Sequence, residues 1–410
     1  MSARGRAGTL AMLAVYAAIT AAATGAALNM EPFGVLVRDG RVDGLQDFAS
    51  HRGFACAVWS GDAAKAGGTS AYTLPAHLEA TERWSGMSPR IALPFGYSPT
   101  MTWVLGPLCL LPTRGAFVAW IAAGLVCTAA AALWSRTHWW TLVALLNPVT
   151  VYSIVLGQTA ILSTAAFLYL VAADRAADAA SWGTVVVLWL LTAKPPLAVT
   201  AAVALLVRGR WRPVALAVGL TAVSTLLVWP WLGAGWVHDY LAMLRDYDRV
   251  HLPAAFAWSI VPESMSNLRA FLSADLGVPD DVAASVANVL WIASLVALLV
   301  AGRWRELDGG LVWSLALLAY LLLCPHVSAT EDLTLVCVLV ALERRLPVAL
   351  ALVALALVFG GLHLSPALGI AAHRRPSLLF FAKVALLGVV VAGARKKRDE
   401  APAQTAAATA

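Results

Sequence analysis

The sequence predicts an all-α polytopic membrane protein. Of its 410 residues, 60% are hydrophobic and only 13% are charged, and the mean hydropathy is +0.76. Apolar runs long enough to cross a bilayer follow one another along the chain. Short basic clusters separate several of these runs, a pattern typical of cytoplasmic loop ends. The clusters are Arg208–Arg212, Arg303–Arg305, Arg344–Arg345 and Arg395–Arg398.

We expect roughly twelve membrane-spanning helices, with both termini on the cytoplasmic side. The first run, 8–28, resembles a signal peptide, but we interpret it as a retained span because the rest of the chain is equally apolar. With this count every basic cluster falls on the cytoplasmic side. The other spans are predicted at about 115–134, 139–156, 158–173, 181–193, 196–207, 213–232, 285–302, 311–323, 333–342, 347–364 and 378–394.

The chain is predicted to form one transmembrane domain, 1–398, followed by a disordered tail at 399–410. Two large outer segments, 29–114 and 233–284, interrupt the spans. Prolines within 99–112 indicate a juxtamembrane helix there rather than a span.

Two further features lie near the outer face. Residues 236–250 alternate apolar and charged side chains, which favours an interfacial amphipathic helix. Lys194-Pro195-Pro196 splits the apolar run 181–207, since proline interrupts helical hydrogen bonding. Irregular backbone at membrane depth is tolerated only against protein or a water-filled cavity, so the break indicates a cavity.

Composition and motifs exclude several classes of function. The net charge of +6 is explained by the loop clusters and does not indicate nucleic-acid binding. The chain has no P-loop, no dinucleotide-binding glycine pattern and no HExxH motif. The five cysteines lack metal-site spacing, and Cys56 has no obvious local partner, so we expect neither a metal cluster nor a disulfide framework.

The polar residues able to carry chemistry all fall at the predicted outer ends of helices or in outer loops, which indicates a site on that face. They are Asp47, Tyr97, Gln158, Lys194, Asn267, His326, Glu331 and Asp332.

Lys194 is the strongest candidate on the residues alone. A cation within an apolar run is costly and usually pairs with an anion, such as a lipid-linked phosphate. The alternatives are a snorkelling lysine and an ion pair with a loop carboxylate. Asp47 could act as a general base, although the residues alone favour the interpretation that it is a solvated carboxylate in a loop. Tyr97 suits a phosphate or sugar contact or an interfacial aromatic.

The remaining candidates are also open to two interpretations. Gln158 suits a sugar-binding amide or a plain polar turn. The loop 324–332 gathers His326, Glu331 and Asp332 with two hydroxyls. This set suits acid–base or phosphate contacts, or a polar hairpin without chemistry.

These motifs, in this order, resemble the PimE-like GT-C glycosyltransferases of glycosyltransferase family 87. The resemblance covers most of the chain, although each motif is short. The motif around Asn267 is inverted, and Thr330 and Glu331 replace a doubled histidine, so the acceptor and the sugar are open. The matching positions are Asp47-Phe48, Phe95-Gly96-Tyr97-Ser98-Pro99, Gly157-Gln158, Lys194-Pro195, Arg210-Trp211, Ser264-Met265-Ser266-Asn267 and Pro325-His326 with Glu331-Asp332.

The resemblance implies a GT-C fold and transfer of a sugar, often mannose, from a polyprenyl-phosphate donor to a hydroxyl of a membrane-attached glycan or glycolipid. The reaction would be inverting and extracytoplasmic, at a bacterial plasma membrane, with no metal or other cofactor. It implies Asp47 as the catalytic base. Lys194, His326 and Tyr97 would bind the donor phosphate. The sugar- or acceptor-binding residues would be His51, Gln158, Asn267, Glu331 and Asp332.

Three alternatives remain at this point. Arabinofuranose, or another pentose, is a second possible donor sugar within the same enzyme class. A flippase or transporter of lipid-linked sugars would use the same cavity and Lys194 but no base. A non-catalytic envelope scaffold would tolerate the loss of both Asp47 and Lys194.

Overall fold

The secondary structure is helical throughout the part of the chain that the structure, a computed structural model, describes. Within those residues the only β contact is an isolated antiparallel bridge between Met265 and Ser328. This confirms the predicted all-α class. The described residues are 46–62, 70–86, 96–135, 145, 147–176, 181–246, 265–304, 307–342, 353 and 379–392.

The helices follow the predicted apolar runs closely, with boundaries that move by a few residues. In chain order they are α1 Gln46–Trp59, α2 Leu74–Ser85, α3 Thr100–Leu105, α4 Thr113–Trp134, α5 Pro148–Leu156, α6 Ala160–Arg175, α7 Trp182–Leu191, α8 Pro195–Val207, α9 Trp211–Leu232, α10 Trp236–Asp246, α11 Asp280–Trp304, α12 Gly309–Leu323, α13 Leu335–Ala341 and α14 Leu379–Ala392. Shorter helical turns are of the 3-10 type at Gly106–Leu110 and Ala329–Thr334, of the α type at Leu268–Ala270 and of the π type at Phe271–Asp275.

Among the described helices, α4, α9 and α11 are long and apolar enough to cross a membrane. They turn large apolar side chains outward: Val118, Leu226 and Val289 are 65%, 62% and 65% exposed. Such surfaces are unfavourable in water and suit contact with lipid tails. The chain is therefore a membrane protein with several apolar helices, whereas the count of roughly twelve spans stays a prediction.

Several predictions lie outside the described residues. These are the span at 8–28, all of the span at 347–364 except residue 353, most of the first half of the span at 139–156, parts of both outer segments, and the tail at 399–410.

Helices α6, α7 and α8 alternate in direction. Ser181, at the start of α7, lies 3.3 Å from the hydroxyl of Tyr169 in α6. Arg208, at the end of α8, donates to Asp174 near the end of α6 at 3.0 Å. Both ends of the α7–α8 pair thus lie beside the second half of α6, so the two helices form a hairpin with Lys194 at its far tip.

The buried apolar side chains form two separate packed cores. The larger contains residues of α4 to α9 and α11 to α14. The smaller joins α1 and α3 to the first turns of α4 and to the junction between α9 and α10, and it buries Phe48, Phe54, Met101 and Leu105. Because Phe48 belongs to this second core, packing fixes the start of α1 and the neighbouring Asp47.

One sequence-based expectation is wrong. Cys56 in α1 forms a disulfide with Cys109 in the turn after α3, with a Cα–Cα distance of 5.5 Å. The two cysteines are 53 residues apart in sequence. Only the packing of α1 against that turn brings them together, so their spacing gave no signal.

Candidate active site

Asp47 lies in the first turn of α1 and is almost fully buried. Its carboxylate accepts a hydrogen bond from the side-chain amide of Gln158. Burial raises the pKa of Asp47 to about 7, and the Gln158 bond and the positive charge of Lys194 oppose that rise. A carboxylate with a pKa near neutrality can take a proton efficiently at physiological pH.

The turn at Gly157 explains why Gln158 reaches Asp47. Gly157 ends α5 with φ +68°, a left-handed conformation that glycine adopts without steric cost. A Cβ at this position would collide with Phe48. The Gly157 carbonyl also accepts a bond from the Trp120 indole at 3.0 Å. The glycine therefore allows the turn to approach α1 closely enough for the amide to meet the carboxylate.

Lys194 lies at the tip of the α7–α8 hairpin, directly before the proline that begins α8. Its ammonium forms an ion pair with Glu331, and Glu331 also accepts a bond from the hydroxyl of Tyr320. The side chain of Lys194 is 21% exposed, whereas that of Glu331 is 5% exposed. Its charge also interacts with that of Asp47. Lys194 is therefore a partly accessible cation between two carboxylates.

The segment that carries Tyr97 is anchored to the same hairpin. Ser98 donates from its backbone N–H to the Ala193 carbonyl at 2.9 Å and from its hydroxyl to the Thr192 carbonyl at 2.6 Å. These bonds hold Tyr97 next to the hairpin tip. The Tyr97 hydroxyl lies 3.0 Å from that of Thr159, one residue after Gln158 in sequence.

His51 lies one helical turn after Asp47 on α1 and is buried. Its ring meets that of Tyr97 edge-on, with the centroids 4.5 Å apart. Burial lowers the pKa of His51 to about 3, and the charges of His77 and Lys194 act in the same direction. The imidazole is therefore neutral at physiological pH and does not compete with Asp47 for a proton.

Asn267 and Asp332 lie in a second, fully buried cluster. The Asn267 carbonyl oxygen caps a short helix by accepting the N–H of Ala270 at 3.0 Å, and its NH₂ donates to the Cys324 carbonyl at 2.8 Å. Asp332 accepts bonds from Lys383 at 2.6 Å and Ser266 at 2.8 Å. Both side chains are fully buried and hydrogen-bonded within the protein, so the structure does not bring them together with Asp47 and Lys194 as sugar-binding groups.

The remaining predicted residues and one additional lysine lie elsewhere in the protein. His326 is exposed in the loop between α12 and Ala329–Thr334. Phe95 of the Tyr97 motif lies outside the described residues. Lys383 in α14 was not among the predicted site residues, although the rule applied to Lys194 identifies it, because it too is a lone cation in an apolar run.

No group of three or more His, Cys, Asp and Glu side chains within the described ranges is placed to hold a metal ion. The expectation of a metal-free reaction stays a prediction.

Comparison with known families identifies the chain. A family model described as glycosyltransferase family 87 matches residues 95–325, more than half of the 410 residues. The match includes Tyr97, Gln158 and Lys194, while Asp47 and Glu331 lie outside it. Searches of curated proteins and of solved structures found no match. On the family match, the chain belongs to glycosyltransferase family 87.

Proposed function

We propose that this glycosyltransferase transfers a sugar from a polyprenyl-phosphate donor to a hydroxyl of a membrane-attached glycan or glycolipid, with inversion at the anomeric carbon. One observation carries the proposal. A buried carboxylate with a raised pKa, Asp47, lies within electrostatic range of a partly accessible cation, Lys194, in a membrane protein of this family.

Asp47 acts as the general base. The acceptor hydroxyl attacks the anomeric carbon on the side opposite the phosphate, the bond from that carbon to the phosphate oxygen breaks, and the hydroxyl proton passes to Asp47. Gln158 orients the carboxylate through its hydrogen bond. The neutral His51, on the same helix, contributes to the acceptor side of the site.

Lys194 stabilises the leaving phosphate, where negative charge develops in the transition state. The Tyr97 hydroxyl, held beside the hairpin tip, is a second donor to the phosphate, and the exposed His326 is a third. Glu331 would contact a sugar hydroxyl once the phosphate shares its cation. A phosphate is a good leaving group, so a metal is not required.

Two observations support an extracytoplasmic site. The Cys56–Cys109 disulfide lies in the smaller core with α1, and disulfides persist in oxidising compartments. The opposite end of the bundle carries Arg208 and Arg210, as the positive-inside rule expects for the cytoplasmic side. Both observations favour a site that faces outward, and the bacterial plasma membrane is proposed from the resemblance to the family.

The sugar is proposed as mannose because the enzymes that the chain resembles often transfer it. Arabinofuranose is the second candidate.

The test is sugar transfer in nanodiscs from synthetic polyprenyl-phosphate sugars, comparing the wild type with Asp47→Asn. Asparagine keeps the size of the side chain but cannot take the proton. We expect the wild type to release polyprenyl phosphate and the variant to lose about 10²- to 10⁴-fold in kcat, the usual contribution of a general base. Donor binding should be retained, since Lys194 is unchanged.

The alternatives predict other outcomes. Equal activity of the two proteins would exclude Asp47 as the base. Tight donor binding without turnover by the wild type would favour a lipid-linked-sugar transporter. A wild type that neither binds nor converts any donor would favour a scaffold.

A further inference from the structure

A lysine that the proposed mechanism does not use lies fully buried in α14, whose other side chains are all apolar. The Lys383 ammonium donates to Asp332 at 2.6 Å, to the Ser266 hydroxyl at 2.7 Å and to the Leu321 carbonyl at 3.2 Å. An ammonium has three N–H donors, and all three are used. Lys383 is therefore held in one geometry by three separate parts of the chain.

These bonds fix Glu331 from two sides. Glu331 and Asp332 are consecutive in the turn Ala329–Thr334, and their side chains go to different partners: Glu331 accepts from Tyr320, whereas Asp332 accepts from Lys383. Lys383 also holds the carbonyl of Leu321, the residue directly after Tyr320. One ammonium thus fixes both the turn that carries Glu331 and the helix end that carries its hydrogen-bond partner.

The same cluster also reaches the backbone directly before this turn. Ser266 bonds to both Lys383 and Asp332, and the preceding Met265 pairs with Ser328 in the isolated β bridge. The loop between α12 and α13 is therefore tied to the Met265–Ser266 segment and to α14 by polar contacts that are removed from water.

A buried ion pair contributes little net stability to a fold, because the cost of desolvation offsets most of the attraction between the charges. Its geometry, in contrast, is strict, since a displaced partner leaves a buried charge unpaired. We propose that Lys383 is a positioning residue which, through Asp332, holds Glu331 against Lys194 and so places the cation that receives the donor's phosphate. This proposal rests on the role of Lys194 given above.

The experiment is a mutant cycle on donor kinetics in nanodiscs. Lys383→Gln alone would leave the Asp332 carboxylate buried without its cation, and the variant could fail to fold. The pair Lys383→Gln with Asp332→Asn is neutral and keeps two groups that can bond to each other. We expect this neutral pair to raise the donor KM at least about tenfold, as for directly coupled residues. In a Glu331→Gln background the neutral pair should have little further effect.

The control removes a different, less buried ion pair at the opposite end of the bundle, that of Arg208 with Asp174. Asp174→Asn with Arg208→Gln should lower the thermal unfolding temperature but leave the donor KM unchanged. If Lys383 has a purely structural role, its neutral pair should also lower the unfolding temperature and leave the donor KM unchanged, or it should raise the donor KM equally with Glu331 and with Gln at that position. Either result overturns the inference while the proposed function stands. If the wild type converts no polyprenyl-phosphate sugar, the proposed function fails and the inference fails with it.

Discussion

The hydrogen bond from Gln158 to Asp47 predicts a specific change in the pH dependence of sugar transfer. Asp47 must be ionised to act as a base, and its pKa is about 7. Activity should therefore fall as the pH falls through about 7, by about tenfold per pH unit below it. His51, with a pKa of about 3, is neutral over this range and adds no second transition.

Gln158→Leu removes a donor that stabilises only the charged carboxylate. A hydrogen bond to a charged group contributes about 1.5–3 kcal/mol, and one pKa unit corresponds to about 1.4 kcal/mol. The pKa of Asp47 should therefore rise by roughly one to two units, which moves the acid limb of kcat/KM to roughly pH 8–9. At pH 7 the variant should be about 5- to 50-fold slower than the wild type, and most of the activity should return at high pH.

The measurement is kcat/KM for the acceptor between pH 5 and 10, since this ratio reports groups of the free enzyme. Thr159→Val is the matched control: this neighbouring hydroxyl bonds to Tyr97, so its loss should leave the acid limb in place. An unmoved limb in Gln158→Leu would refute the assignment of Asp47 as the base. A uniform loss at every pH would mean that Gln158 binds substrate and does not tune Asp47.

Three further predictions follow from single contacts. Lys194→Met should lower kcat/KM for the sugar donor by about 10²- to 10³-fold, as for the loss of one hydrogen-bond donor to the transition state. Lys194→Arg should retain part of this activity, because it keeps the positive charge. Equal losses in the two variants would exclude a charge-based role. Gly157→Ala should lower the free energy of unfolding by about 1–2 kcal/mol because of the left-handed backbone, and by more because the new methyl group would collide with Phe48. The measurement is unfolding in detergent. An unchanged unfolding midpoint would contradict the close approach of this turn to α1. Replacing Cys56 and Cys109 by serine should lower the free energy of unfolding by about 2–5 kcal/mol. The wild type with reductant should match the variant, and a reductant without effect would contradict the disulfide.

The helices were largely predictable because apolar length and proline position determine where a membrane helix begins and ends. The short helix α8 starts at Pro195, and α5 ends at Gly157, as local rules require. Residues that interact locally or through the membrane environment therefore leave a signal in the sequence, and Lys194 is the clearest example.

Long-range pairs leave no such signal. Nothing in the sequence links Asp47 to Gln158, which is 111 residues away, or Lys383 to Asp332, because packing of whole helices decides both. The same limit applies to Asn267, where an amide suited to sugar binding caps a helix instead. The sequence allowed candidate residues to be named one by one. Only the folded structure shows that Asp47, Lys194 and Glu331 form one group and that Lys383 belongs to a separate cluster.

The arrangement of charge shows why a carboxylate and a lysine suit this reaction together. Before transfer the donor is a phosphodiester with one negative charge, and Asp47 carries another. As the acceptor proton moves to Asp47, the carboxylate is neutralised and the leaving phosphate gains a charge, so one negative charge moves from Asp47 to the phosphate beside Lys194. The total charge of a poorly solvated site is then unchanged along the reaction, which avoids a large desolvation cost. A pKa near neutrality for Asp47 fits this scheme, because the proton must be accepted during transfer and released to water before the next turnover.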